Sequence, residues 1–185
     1  EGKSPAEAKR KLKSEPLFCD LFAEYLERHS KPKKKTWTDD LDNYKKHVEK
    51  QFSKKKLSEI NRATVSLLHS NITTKSGPIA ANRILALISS VFGWAISAGL
   101  WENNPAIGIR RNKEKSRDRF IQSDELPRFF QALSKEPNET IRDYVLISLL
   151  TGARRSNVCS MKWQDINFER AEWRIEETKN DTPQT

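Results

Sequence analysis

No charged side chain occurs between Ile84 and Trp101, in a chain where 32% of residues are Asp, Glu, Lys or Arg. A stretch of that length has to be covered, either by lipid or by the rest of the protein. Ser89, Ser90, Gly93, Ser97 and Gly99 interrupt it, Arg83 borders it, and the chain as a whole has a mean hydropathy of -0.79. The stretch therefore reads as the buried central helix of a helical bundle, and no membrane partner is expected.

The segments before it supply the rest of such a bundle. Leu17, Leu21, Phe22, Tyr25 and Leu26 follow Pro16 at helical spacing, and Ser30-Lys31-Pro32 marks a stop. A second helix, capped by Thr36 or Thr38, carries Trp37, Leu41, Tyr44, Val48 and Phe52 and ends at residues 53–56. A third starts near Asn61, is led by Leu57 and Ile60, and carries Val65, Leu67, Leu68 and Ile72 until residues 73–77 end it. Pro78 then suits the first turn of the fourth helix, Gly99 its C-terminal end, and Asn103-Asn104-Pro105 closes the element. The spacing predicts a four-helix bundle over residues 16–109.

Residues 110–119, RRNKEKSRDR, offer nothing apolar to bury and read as an extended basic linker. Beyond it, residues 120–185 mix helix and strand. Phe120-Ile121-Gln122 leads extended into SDEL, the first turn of a helix reaching about Lys135. Thr140 to Leu150 reads as a largely buried helix that breaks at Thr151-Gly152, and a further helix spans about Arg155 to Trp163. From Ala171 to Glu177 the period changes to two, with Trp173 and Ile175 on one face, so a strand and a small antiparallel hairpin are expected. The fold class is thus mainly α with a small sheet in a truncated second domain, whose returning strand is absent or barely begun at Thr185. The only methionine is Met161, so residue 1 does not read as a translation start and something upstream is expected to be missing.

The net charge of +9 is unevenly spread: residues 1–119 hold 25 Lys and Arg against 14 Asp and Glu, residues 120–185 hold 9 against 11. A basic half of this kind attracts a polyanion, and duplex DNA is the expected partner. Lys33, Lys34, Lys35 and Thr36 at one end of the second helix, and Lys54, Lys55 and Lys56 at the other, suit phosphate contacts that position without specifying. Lys75, Ser76, Asn82 and Arg83 surround the start of the fourth helix and can reach phosphates or base edges. Arg110, Arg111, Lys113, Lys115, Arg117 and Arg119 add the linker's own charge. Cys19 and Cys159 make no disulfide framework, and a reducing, cytoplasmic setting is expected. His29, His47 and His69 lack ligand partners at metal spacing and read as surface or helix-end residues; no metal or cofactor is expected.

The most specific stretch is TGARRSNVCSMKWQDINF, residues 151–168. A left-handed glycine at 152 ends one helix and lets Arg154 enter the first turn of the next, where a guanidinium grips a phosphate through two parallel hydrogen bonds. The bland alternative is an arginine that caps the helix or pairs with Asp165. With Trp163, Asp165 and Ile166 following it, the segment resembles the phage integrase family of tyrosine recombinases, in which the arginine of a TGxR segment is catalytic. The resemblance implies that residues 1–15, opening EGKSPAEAKRK, are the link from an upstream domain, that residues 16–109 are a core-binding (SAM-like) domain and that 120–185 begin the catalytic domain. It makes Arg154 a catalytic arginine, and Lys179, in the turn of the next hairpin, the lysine that acts on the leaving oxygen.

Two features depart from the family. Asn157 stands where a glutamate is common, and no His-x-x-Arg pair or later tyrosine follows, Tyr25, Tyr44 and Tyr144 sitting at apolar helical positions. The resemblance implies a complete protein that exchanges DNA strands through a covalent phosphotyrosine, assembled as a tetramer on DNA, and a chain that by itself is monomeric and does not cut. Two rivals remain: a non-catalytic DNA-binding regulator of the same architecture, and a type IB topoisomerase-like enzyme.

Overall fold

In the computed structural model, which describes residues 15–116, 118–176 and 182–185, the chain folds as two units, Glu1–Ser116 and Arg117–Thr185. Helix α1 of the first unit combines Phe18–Tyr25, a wide π-turn over Leu26–Ser30 and a last turn Lys31–Lys33. It thus passes the stop expected at Ser30-Lys31-Pro32. In a regular α-helix the ring of Pro32 would meet the carbonyl four residues back; the wide turn just before it, in which the Lys31 N–H reaches the Leu26 carbonyl, opens the backbone there.

Helix α2 has the same construction: Trp37–Asn43, a π-turn over Tyr44–Val48, then Glu49–Phe52. Thr36 holds the N-cap position without a side-chain hydrogen bond, and Asp39 and Asp40 in the first turn complement the helix dipole instead. A short 3-10 turn, Leu57–Glu59, leads into α3, Arg62–Ser76. Asn61 caps α3 by a reciprocal pair: its side chain accepts from the Thr64 N–H at 3.0 Å, and the Thr64 hydroxyl accepts from the Asn61 N–H at 3.0 Å. Gly77, at φ 91°, turns the chain into α4, Pro78–Ser97.

Helix α4 is the uncharged stretch, and Ile84, Leu85, Ile88, Val91, Phe92 and Ala95 are among its buried residues. It is long and apolar enough to cross a membrane, yet half of its apolar window is covered by the bundle. Phe18 of α1 sits between the other helices, its ring 6.0 Å from Phe52 and 5.7 Å from Phe92, while Phe22 stacks on Tyr44 at 3.9 Å. Burying such side chains contributes about 1.5–3 kcal/mol each. Leu67, grouped by spacing with the apolar face of α3, instead faces solvent at 62% exposure.

In the second unit, α5 covers Leu126–Ser134, α6 Glu139–Thr151 and α7 Arg155–Cys159. The SDEL segment forms a turn ahead of α5 rather than its first helical turn, with the Glu125 carboxylate accepting from the Gln122 N–H at 2.9 Å. Helix α6 is not the largely buried helix expected: none of its residues is buried and Leu150 is 82% exposed. Its apolar residues exceed what the described part of this unit can cover. Helix α7 is also shorter than expected, giving way before Trp163 to an extended Met161-Lys162 and a 3-10 turn, Trp163–Asp165. Strands β1 (Ile166–Asn167) and β2 (Glu172–Trp173) pair antiparallel, Ile166 opposite Trp173. Trp173 and Ile175 are half-buried and Glu172, Arg174 and Glu176 exposed, as the alternation requires. Beyond the hairpin one isolated antiparallel bridge joins Ile175 to Gln184.

Candidate nucleic-acid interface

The segment after α6 turns on Gly152, which sits in the left-handed region at φ 63° and ψ 11°. Its N–H reaches the Ser148 carbonyl at 3.0 Å, and the Thr151 hydroxyl both donates to the Ile147 carbonyl at 2.6 Å and accepts from the Ala153 N–H at 3.2 Å. This closes the helix and delivers Arg154 as the extended N-cap of α7, at φ -63° and ψ 146°. Arg154 therefore precedes the first turn instead of entering it. A five-residue helix builds little dipole, so attraction for an anion rests on the guanidinium itself.

That guanidinium is exposed and makes no hydrogen bond or ion pair among the described residues, so the alternative of a pair with Asp165 is not realised. It borders a cleft of about 470 Å³ that Gly152, Asn157, Trp173 and Ile175 also line. Asn157, a neutral side chain lining the same cleft, is buried. Lys179 and Arg117 lie outside the described residues.

The basic residues of the first unit divide into three groups. Lys33, Lys35 and Thr36 are exposed in the α1–α2 connection, but Lys34 is engaged within the bundle. Its ammonium lies 2.7 Å from the Asp40 carboxylate and donates to the Tyr25 hydroxyl at 2.7 Å, while Ser30 donates to the same carboxylate at 2.7 Å. Burial alone would lower the Lys34 pKa, but the bonds to Asp40 and Tyr25 outweigh it and hold the group above its ordinary value. Lys34 is thus a packing residue more than a phosphate ligand. Lys54 is exposed at the far end of α2, with Lys55 over the Phe52 ring at 5.8 Å and the Lys56 N–H donating to Glu59 at 2.9 Å.

The third group gathers at the α3–α4 turn. Lys75, Ser76 and Arg83 are exposed there. Asn82, expected to touch DNA, is instead 5% exposed and bonded within the unit. Its amide oxygen accepts from the Asn112 N–H at 2.8 Å, and its amide nitrogen donates to the Asn112 carbonyl at 2.9 Å and to the Glu114 carboxylate at 2.7 Å. The Asn112 side chain donates to the Thr73 hydroxyl at 2.8 Å. His69 is likewise buried, correcting its assignment to the surface, with Nε2 3.1 Å from the Asn82 amide oxygen and 3.3 Å from the Asn112 amide nitrogen. A protonated Nε2 donates to the first; a bare one accepts from the second.

Residues 112–114, read as free linker, are therefore bound to the bundle. This places the exposed Arg111 and Lys113 beside the turn that carries Lys75, Ser76 and Arg83. Arg119, at the linker's end, pairs with Glu125 at 2.7 Å. Arg62 was not visible in the sequence as an interface residue. Its guanidinium lies 3.4 Å from where a Cβ on Gly108 would sit, and with Arg110 it lines a groove of about 660 Å³. The one signal that could have found it is the cap, since Asn61 fixes Arg62 at the first helical position.

Residues 18–112 match the phage integrase central domain and residues 119–185 the phage integrase family. The chain belongs to the phage integrase family. Among the relatives of this integrase-family chain, a tyrosine recombinase of Thermosipho africanus (strain TCF52B) is 28% identical over 157 residues, covering 82% of this chain and 54% of the relative. The integrase of Enterobacteria phage 434 is 27% identical over 110 residues, 60% of this chain and 31% of the phage protein. This chain thus spans about half or less of the length of those relatives. Lambda integrase, solved as a tetramer bound to a Holliday junction, superposes with a TM-score of 0.81 at 19% identity over 98% of this chain and 54% of that one. Its dimer bound to a COC' core site gives 0.79 at 21% identity, covering 98% and 51%. The integrase fold is shared across both units.

Proposed function

We propose that this chain is the DNA-binding part of a site-specific tyrosine recombinase. Its first unit and the basic segment after it hold duplex DNA, and its second carries the first arginine of the phosphate site. The observation that carries the reading is Arg154, unpaired among the described residues and lining a cleft, in a chain that matches the integrase family over both units. The related lambda integrase was solved on a core site as a dimer and on a Holliday junction as a tetramer. By that likeness the complete protein works as a tetramer on its DNA in the cytoplasm, cutting and rejoining through a covalent 3'-phosphotyrosine. Arg154 would stabilise the charge that develops on the scissile phosphate, and Lys179 would protonate the leaving oxygen. Arg154 and Lys179 do not include a nucleophile: Tyr25 and Tyr44 are buried and Tyr144 lies half-buried in α6.

The test is a salt titration of this chain on duplex DNA. Phosphate contacts by roughly five cations give a slope of log K against log salt near -4 or steeper. No covalent adduct should accompany binding. Salt-independent affinity, or an adduct formed by the pure chain, would overturn the reading.

A further inference from the structure

After α4 the chain turns back over the bundle as a strap, held at three points. At the first, the Asn104 side chain donates to the Ser89 carbonyl at 3.1 Å and accepts from the Ala106 N–H at 3.0 Å, with Ala106 buried. At the second, Gly108, at φ 80°, lies under the Arg62 guanidinium at the start of α3. At the third, Asn112 meets Asn82, His69 and Thr73. Four extended residues from Gly108 to Asn112 reach about 13–14 Å. The seven to eleven residues of α3 from Arg62 to His69 and Thr73 rise by about 10–16 Å. The strap therefore follows α3 with no slack.

Asn82 closes it in a way few side chains can. Its amide presents a donor and an acceptor side by side and pairs with both backbone groups of Asn112, as a neighbouring strand would, while its second N–H takes Glu114. A buried amide in this position has no water to fall back on, so the strap and the bundle satisfy each other.

We infer that Asn82 is a positioning residue for DNA binding: by pinning Asn112 it fixes Arg110 in the groove with Arg62, and Arg111 and Lys113 by the turn that carries Lys75 and Arg83, instead of leaving them on a loose tether. The inference rests on the DNA-binding reading above. Cations whose backbone is already ordered lose less freedom on meeting phosphates, so they bind at a defined register.

The experiment uses the 185-residue chain with Asn82→Ala, and with Asn112→Pro, which removes the N–H that Asn82 accepts from, together with the Asn112 side chain's bonds to Thr73 and His69, while keeping Asn82 itself. Each variant is checked for helix content by circular dichroism, then digested briefly with trypsin and titrated with salt on duplex DNA. The wild type should resist cutting after Arg110, Arg111 and Lys113. Asn82→Ala should be cut at all three places at least tenfold faster and Asn112→Pro at least tenfold faster after Lys113, an Arg-Pro bond being closed to trypsin; in either variant DNA affinity at low salt should be about tenfold weaker and the salt slope shallower by one to two. Faster cutting with unchanged affinity and slope would overturn the positioning role. Unchanged cutting in both variants would overturn the pin itself. Should the wild type bind DNA without salt dependence, the DNA reading falls and the positioning role with it, while the digestion pattern still reports separately on the pin. If Asn82→Ala fails to fold, Asn112→Pro alone decides.

Discussion

The helix break at Gly152 just ahead of Arg154 was legible because glycine follows an apolar run; the place of Arg154 one residue ahead of α7 was not, since only backbone angles decide that. During attack on a phosphate, charge grows on two non-bridging oxygens, and a planar fork meets both where an ammonium meets one. In the complete protein Arg154→Lys should slow DNA cleavage by roughly a hundredfold or more while leaving affinity within a few-fold, read from a nicked suicide substrate and from gel shifts. The burial of Asn82 was not legible, because a polar residue at a helix start looks the same in sequence whether it faces solvent or a returning strap. Two buried phenols bear on stability at alkaline pH. Burial pushes the Tyr44 hydroxyl up to about 12, with Cys19, Glu49 and Asp20 adding to it, and burial raises Tyr25 as well. Folding thus holds these phenols neutral. The stability they contribute is complete below their ordinary value near 10 and is lost as pH rises through the folded value. Tyr44→Phe should move the alkaline unfolding midpoint to higher pH, followed by circular dichroism between pH 8 and 12.5, roughly the span over which phenols titrate.

At the scale of elements, periodicity and punctuation located the helices of the bundle, and Pro78, Gly99 and Gly152 stand where helix ends require them. The two π-turns were invisible, because no residue type announces them; Pro32, tolerated within the last turn of α1, was the sole hint there. The burial of α6 was overestimated since an apolar run reports what a helix can cover, not what is there to cover it. Gly152 is the element-scale position with the clearest cost. A Cβ there meets no neighbour within 4 Å, so any penalty is conformational, about 1–2 kcal/mol for an L-residue held left-handed. Gly152→Ala should lower the unfolding free energy of the second unit by that amount and leave the bundle's unchanged, which is read by following hydrogen exchange of the α6 and α7 amides apart from those of the bundle.

For the whole molecule, the charge asymmetry read from the sequence maps onto the two units, whereas the boundary of the linker did not follow composition. A run of charged and polar residues looks unfolded, yet Asn112 needs only its backbone and one amide to be held, and composition does not record a pairing 30 residues away. The strap also sets an order of events. Helices α3 and α4 adjoin in sequence and can pack as soon as residue 97 is available, but the bonds of Asn112 to Asn82 and His69 close loops of 30 and 43 residues. On a ribosome the bundle emerges first, with Asn82 and His69 still solvated in an open groove, and the strap arrives only as synthesis moves on toward the second unit. The last piece of the first unit to fold is therefore the one that leads out of it, and a nascent chain stalled before residue 112 would present the bundle with its groove uncovered.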